Sequence, residues 1–126
     1  MWAPMSNAGV RLKRVYEPPA AEDGARVLVE RLWPRGVTKE RASIDHWLKD
    51  IAPSSGLRQW YGHLEDRWPE FRRRYREELK TRAEARAALD ALRALARAGT
   101  VTLIFAAKDP ARCSAAVVAE ELDARP

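Results

Sequence analysis

The segment from Thr100 to Ala107 constrains the fold most strongly, because it is an apolar run placed between two helical patterns. Before it, residues 83–98 form an Ala-rich amphipathic pattern that ends at Gly99, a common helix terminator. After it, Asp109 and Pro110 are residue types that begin helices. A strand that joins two helices in this way predicts an α/β domain.

Two further strands and two further helices extend this pattern. Val10 to Tyr16 alternates as expected for a strand with one face in water, and Arg26 to Leu32 has the continuous apolar centre of a strand buried on both faces. Apolar residues at helical spacing predict a short helix over residues 57–64 and a longer helix that starts near Asp66 and Pro69. The alternation predicts a small, mostly parallel sheet flanked by helices, Rossmann-like in the loose sense.

Residues 43–51 fit two patterns. Some apolar residues of this segment recur at helical spacing, whereas Ile44, His46 and Leu48 alternate as they would in a strand. We predict a short strand or extended segment that ends at Pro53, and the helical alternative stays open.

The composition predicts one folded domain in a reducing compartment. The chain has 126 residues, of which 46% are hydrophobic and 33% charged, so it can bury a core. We expect a flexible N-terminal extension over residues 1–8 and a single α/β domain over residues 9–126. A secretory signal and an apolar run of the roughly 20 residues that cross a bilayer are both missing. Cys113 is the only cysteine. We therefore expect a cytoplasmic protein with no membrane contact and no four-ligand zinc site.

The loop after the second predicted strand is the main candidate binding site. From Arg31 to Lys39 it combines basic residues with a tryptophan, a proline and a glycine, which suit a rigid basic pocket better than a core. Ligands of open α/β sheets bind beyond the carboxyl ends of the strands, where the loop from Lys108 to Cys113 also lies. Arginine forks and a helix N-terminus favour anions there, as does the net charge of +5. The residues predicted to bind a small anionic ligand are Arg31, Trp33, Arg35, Gly36, Lys39, Lys108 and Arg112.

A structural explanation of the same loop stays open. Arg31 and Arg35 would then pair with surface carboxylates, and Trp33 would fill the core.

Two residues are weak candidates for catalysis. Cys113 falls about one turn into the predicted last helix, where the helix N-terminus, Lys108 and Arg112 would lower its thiol pKa, although a small buried residue is the commoner role. His63 is the candidate general acid or base, because an ordinary histidine pKa lies near neutrality, but it also suits the C-terminal cap of a short helix. The sequence places no base near Cys113, so the reaction, if any, and any cofactor are unknown.

The predicted helix over residues 67–82 supplies a rival function. Its run from Arg72 to Arg76 would contact a nucleic-acid backbone in a nucleic-acid-binding or regulatory module. Alternatively, carboxylates at i,i+4 spacing neutralise a solvated face, leaving only Arg72 and Arg76 without such a partner. The predicted pairs are Glu70–Arg74, Arg73–Glu77 and Arg74–Glu78. A third function is a protein-interaction domain with an exposed apolar patch on the helix over residues 83–98.

Five segments together carry a family resemblance: Arg31–Glu40, Trp47–Ser54, Leu57–His63, Phe71–Leu79 and Ala106–Asp109. They resemble the YeaO-like family of uncharacterised bacterial proteins, the domain of unknown function 488 group, over about residues 10 to 122. The resemblance implies a compact α/β fold in a bacterial cytoplasm and supplies no established activity, substrate or cofactor. The chain departs from the family at Cys113-Ser114, where Asn-His is common. Shared chemistry through that histidine is therefore not expected, and neither is Cys113 as a family-wide nucleophile.

Overall fold

A four-stranded parallel sheet forms the centre of the computed structural model, which describes residues 10–123. The strands are β1 (Val10–Arg14), β2 (Ala25–Leu28), β3 (His46–Trp47) and β4 (Val101–Phe105), in the order β1-β4-β2-β3. Each neighbouring pair is parallel, and Leu103 of β4 lies between Leu12 of β1 and Val27 of β2. The predicted α/β class is confirmed, whereas the predicted extension over residues 1–8 lies outside the described residues.

Local sequence signals account for several of the helix ends. They are α1 (Lys39–Ala42), α2 (Ser55–Tyr61), α3 (Trp68–Thr81), α4 (Ala83–Ala98) and α5 (Ser114–Asp123), with 3-10 turns at Ala21–Asp23, Lys49–Ile51 and Glu65–Arg67. The Ser54 hydroxyl caps α2 by accepting a hydrogen bond from the Leu57 amide. A proline lies in the first turn of α3, and Gly99 ends α4.

The sheet separates two apolar clusters of unequal size. Val101, Leu103 and Phe105 of β4 face the larger cluster, which α2–α5 cover. Ile104 alternates to the opposite face and joins a smaller cluster under the loop that contains α1. The smaller cluster consists of Val15, Leu28, Ala42 and Ile104, with Trp33, Val37, Ile44, Trp47 and Ala106 packed against it.

A buried ionic network lies beside the N-terminal ends of β2 and β4. The Asp23 carboxylate, 3% exposed, accepts hydrogen bonds from Lys13 at 3.0 Å and from Arg26 at 2.6 Å. The Arg26 guanidinium also donates to the Ala42 carbonyl at 2.8 Å, and the Thr102 hydroxyl donates to the Asp23 carbonyl at 2.7 Å. Each charge therefore has partners, which a buried charge requires.

Several predicted boundaries differ from the structure, and three of them lie near the C-terminal ends of the strands. The second strand ends at Leu28 instead of Leu32. The Val29 amide still donates to the Ile104 carbonyl at 3.1 Å, but the Ala106 amide then donates to the Glu30 carboxylate instead of to the β2 backbone. Residues 43–51 contain the predicted short strand, but a 3-10 turn follows it. The last helix begins at Ser114 instead of near Pro110, because the Asp109 carboxylate accepts the Ala111 amide at 3.0 Å in a tight turn.

Candidate functional site

A cleft of about 480 Å³ lies at the C-terminal ends of β2 and β4. The sheet contributes residues just beyond those strands, and the ends of α2 and α5 contribute the walls. The lining residues are Glu30, Pro53, Arg58, Gln59, Tyr61, His63, Phe71, Ala106, Ala107, Cys113 and Ser114. Its volume is within the range of about 300–1,000 Å³ that is usual for small-molecule sites.

The topology explains why a cleft opens between these two strands. After β4 the chain enters α5, which packs on the face of the larger cluster, whereas after β2 it enters the loop and α1 on the face of the smaller cluster. Neighbouring parallel strands whose connections leave on opposite faces create a crevice at their carboxyl ends. The cleft lies at this topological switch point, the usual position of a ligand site in open α/β sheets.

Two side chains hold the end of β4 at the floor of the cleft. From the β2 side, Glu30 Oε2 accepts the Ala106 amide at 3.0 Å. From the β1 side, the Arg14 guanidinium donates to the carbonyls of Ala106 and Ala107 at 3.1 and 2.9 Å. The Glu30 carboxylate thus takes an amide that would otherwise continue the β2–β4 ladder, and the strands separate at this point.

An aromatic stack supports the wall of the cleft opposite the sheet. Tyr61 stacks on Phe71 with ring centroids 4.3 Å apart and planes 18° apart. The Tyr61 hydroxyl donates to the Arg112 carbonyl at 2.9 Å. Burial raises the pKa of Tyr61, and the nearby Asp109 charge adds to this effect, so the phenol stays a neutral donor. The stack fixes the α2 end against the loop before α5.

His63 lies at the mouth of the cleft in a left-handed backbone conformation. Gly62 ends α2 with φ 52°, and His63 follows with φ 57°. The His63 side chain is exposed, lines the cleft and lies 5.4 Å from the Tyr61 ring. The left-handed conformation of a non-glycine residue costs roughly 1–2 kcal/mol, and such residues cluster at functional sites.

Cys113 lines the cleft as a buried, protonated thiol. Burial raises its pKa, and the amide hydrogen bonds from Ala116 and Ala115 do not reverse that effect, while the Glu30 charge adds to it. The residue is 3% exposed and precedes α5 instead of lying one turn inside it. The expected lowering of the Cys113 pKa is therefore wrong, because burial outweighs the helix N-terminus.

The predicted ligand residues separate into two groups. Arg31, Lys108 and Arg112 are each next in the chain to a residue that lines the cleft, although none of them lines it. Arg112 forms ion pairs with Glu65 at 3.4 Å and Asp109 at 3.5 Å. The Arg31 Nε atom is buried without a hydrogen-bond partner among the described residues.

The second group lies with the smaller cluster. The Trp33 indole packs edge-on against Trp47 at 5.5 Å, and its Nε1 donates to the Val37 carbonyl at 2.6 Å, as the core-filling explanation predicts. Trp33 and Lys39 line a cavity of about 240 Å³, and Gly36 lines another of about 510 Å³.

Arg35 is linked to the end of β1. Its carbonyl accepts the Tyr16 hydroxyl at 3.4 Å, and Arg14 lies over the Tyr16 ring at 5.0 Å. Because Arg14 also donates to the Ala107 carbonyl, a chain of contacts through Tyr16 and Arg14 connects Arg35 to the residue that precedes Lys108. The convergence of the five predicted cations into one site remains a prediction.

Sequence reasoning did not single out Glu30, Arg58 or Tyr61. The position of Glu30 in the sequence was a usable signal, because this carboxylate directly follows the buried run Val27–Val29. Arg31, which was singled out, is the next residue. Arg58 and Tyr61 carry no such local signal, because their place beside the sheet depends on how α2 packs.

The arginine-rich surface of α3 is largely neutralised by carboxylates. Arg73 and Arg74 both contact Glu70 at 2.7 Å, so the predicted Glu70–Arg74 pair is present. Glu78 instead receives hydrogen bonds from the Ser54 amide and hydroxyl.

The two arginines without a predicted partner find one on α5. Arg72 contacts Glu120 at 2.8 Å, and Arg76 contacts the buried Glu121 at 2.6 Å. These pairs join α3 to α5, and nucleic-acid binding by this surface remains a prediction.

Residues 10–123 contain neither a cluster of metal-binding side chains nor a membrane-spanning helix. No group of three or more His, Cys, Asp or Glu side chains in this range could hold a metal ion. No helix in the same range is long and apolar enough to cross a bilayer.

Comparisons with known proteins support the family resemblance. Residues 9–125 match the family model DUF488-N3i, described as the inactive DUF488-N3 subclade. Uncharacterised proteins of Mycobacterium tuberculosis and Mycobacterium bovis are 46% identical over 116 residues, which cover 92% of this chain and 95% of theirs. The uncharacterised protein YeaO of Escherichia coli is 38% identical over 115 residues, covering 90% of this chain and 96% of its own. No solved structure matches significantly.

Proposed function

Because this chain belongs to the DUF488-N3i family, the inactive DUF488-N3 subclade, we propose that it acts by binding a small anionic molecule in the cleft between the ends of β2 and β4. The observation that carries the proposal is the position of the cleft at the topological switch point, with the Arg58 guanidinium on one wall.

The charges around the cleft favour an anion at the α2 side. Arg58 and His63 line the cleft directly. Lys108 directly follows the lining residue Ala107 and adds a positive charge near the cleft, whereas Arg112 is paired with Glu65 and Asp109. An arginine fork binds carboxylate or phosphate through two parallel hydrogen bonds, so Arg58 is the principal proposed anion contact.

Binding fits the chemistry of the cleft better than nucleophilic catalysis. A nucleophilic cysteine needs a thiolate and a nearby base, whereas burial raises the pKa of Cys113. The description of the family as an inactive subclade supports the same conclusion.

Calorimetric titration tests the anion contact. Inorganic phosphate and nucleoside monophosphates would be titrated into the full chain and into the variant Arg58→Ala. We expect at least one nucleotide to bind, and its affinity to fall at least tenfold in the variant, about 1.4 kcal/mol, because a charge-assisted contact is lost.

A matched variant controls for the loss of one positive charge. Arg97 lies in the last turn of α4, which ends before β4 begins and therefore at the opposite edge of the sheet. Arg97→Ala should leave the dissociation constant unchanged. Equal effects of the two substitutions, or unchanged binding in Arg58→Ala, would rule out the cleft as the anion site.

A second pair of variants tests two of the cations that the sequence predicts as ligand contacts. Lys108→Ala should weaken binding if the ligand extends along the loop before α5. Arg35→Ala should weaken it only if the ligand also reaches the basic loop beside Tyr16. The comparison separates a site confined to the cleft from one that includes both predicted loops.

A further inference from the structure

We infer that the ligand also presents a paired N–H donor edge, as guanine does, and that Glu30 recognises this edge. The inference rests on the proposed function, since it concerns the opposite side of the same cleft. It adds the chemical class of the ligand, a heterocycle that carries both N–H donors and an anionic substituent.

Only one of the two carboxylate oxygens of Glu30 accepts a hydrogen bond from the described part of the protein. Its Oε2 atom accepts the Ala106 amide at 3.0 Å, and no hydrogen bond from the described residues reaches Oε1. The residue is partly buried, yet Oε1 is not among the buried atoms without partners, so it has accessible surface at the cleft. One carboxylate oxygen is thus held by the backbone while the other is available to a ligand.

Glu30 also lacks a counter-ion. No cation among residues 10–123 lies within 4.0 Å of its carboxylate, although many other carboxylates of the chain, including Glu70, Glu120 and Glu121, form ion pairs. A partly buried carboxylate is stabilised by charge-assisted hydrogen bonds, and in the absence of a protein cation these bonds must come from water or from a ligand.

The two sides of the cleft differ in charge. Glu30 lies at the sheet, whereas Arg58 and His63 come from α2 and its end. A ligand that is only anionic would be attracted by the second side and repelled by the first. A ligand with N–H donors at one end and an anion at the other satisfies both sides, and the aromatic residues Tyr61 and Phe71 give the wall an apolar surface that suits a heterocycle.

Guanine matches a carboxylate because its ring N–H and its amino group are adjacent donors. One donor can bind Oε1 and the other the remaining lone pair of Oε2, since each carboxylate oxygen can accept two hydrogen bonds. Adenine presents an acceptor where guanine presents the ring N–H, so its edge places a lone pair against the carboxylate. Hypoxanthine keeps the ring N–H but lacks the amino group. On the same purine ring system, guanine, hypoxanthine and adenine therefore offer two, one and no N–H donors at this edge.

Titration of guanosine, inosine and adenosine monophosphates into the full chain tests the inference. We expect guanosine monophosphate to bind at least tenfold more tightly than adenosine monophosphate, with inosine monophosphate between them. Glu30→Gln should remove this preference, because the neutral amide presents both a donor and an acceptor, while its oxygen can still accept the Ala106 amide. The exposed Glu77→Gln, a matched charge change on α3, should preserve the preference.

The outcomes separate this inference from the proposed function. Equal binding of the three nucleotides, with affinity still dependent on Arg58, would overturn the donor-edge inference and leave the anion site standing. A guanine preference that survives in Glu30→Gln would overturn the role of Glu30. Failure of every nucleotide and of phosphate to bind would overturn both proposals. The base preference of the unmodified chain decides the ligand class even if Glu30→Gln does not fold.

Discussion

The two ends of the parallel sheet each hold a carboxylate, and the two carboxylates differ in the partners that the protein gives them. At the N-terminal end, Asp23 is 3% exposed and contacts both Lys13 and Arg26. At the C-terminal end, Glu30 binds one backbone amide and has no cation within 4.0 Å among the described residues. The first arrangement stabilises the fold, and the second leaves an unused acceptor beside a cleft. The two carboxylates differ in how completely the protein satisfies them, and this difference is the ground for placing the proposed ligand at the C-terminal end of the sheet.

The largest expected effect is the loss of the charge at Asp23. Asp23→Asn should lower the free energy of unfolding by about 3–5 kcal/mol, because Arg26 would remain buried without a counter-ion. Urea unfolding monitored by tryptophan fluorescence measures this change. The control is Asp90→Asn, whose side chain is 57% exposed and should change stability by less than about 1 kcal/mol. Similar losses in both variants would contradict a structural role for the Asp23 network.

A pair of glycine substitutions compares the backbone at the two ends. Gly24 has φ 64°, and an added Cβ would lie 2.3 Å from the Thr100 carbonyl oxygen, whereas Gly36 has φ 76° with open space around it. Gly24→Ala should therefore cost about 2–4 kcal/mol through strain and overlap, and Gly36→Ala about 1–2 kcal/mol through strain alone. Thermal and urea unfolding would measure both, and equal costs would show that the Thr100 contact relaxes freely.

Acid should weaken the N-terminal network selectively. Burial alone would raise the pKa of Asp23, but hydrogen bonds from the Ala20 amide, Lys13 and Arg26 outweigh burial and lower the pKa below its ordinary value. A lowered folded-state pKa contributes stability that is present above the unfolded value and is lost as pH falls through the folded value.

Unfolding measurements from pH 7 to pH 2 test this sign. The stability difference between the unmodified chain and Asp23→Asn should be constant near neutrality and should shrink below about pH 4. A difference that grows on acidification would show that the Asp23 pKa is raised instead.

The smallest expected effect concerns the thiol in the cleft. Because Cys113 is buried and its pKa is raised, alkylation by iodoacetamide at pH 8 should be at least tenfold slower in the folded chain than in the urea-unfolded chain. Cys113 is the only cysteine, so the mass increase reports this position directly. Faster labelling of the folded chain would identify an activated thiolate and would revive a catalytic reading of the cleft.

Local signals were sufficient for most of the fold. The apolar run that became β4 and the Ala-rich helix α4 ending at Gly99 lie where the pattern predicts them, because side-chain periodicity and caps act over a few residues. The predicted start of α5 was wrong, and the reason is equally local. Asp109 is able both to cap a helix and to close a tight turn, and its carboxylate accepts the Ala111 amide in the turn.

The site was predictable only in part. The rule that ligands bind at the carboxyl ends of parallel strands directed attention to the segments after β2 and β4, where residues of the cleft lie. It did not distinguish Arg31 from Glu30, since both directly follow the same strand. Only the packed structure shows that Glu30 lines the cleft and that Trp33 packs against Trp47 in the smaller cluster.

The sequence by itself determined the α/β class, the parallel strands and the family of this chain, because these depend on apolar periodicity, turn residues and extended motifs. Tertiary structure alone decided which charges are paired. Glu30 meets an amide 76 residues away, and Arg72 meets Glu120 across 48 residues. Such partners are set by which strands and helices become neighbours, and no rule of local spacing contains that information.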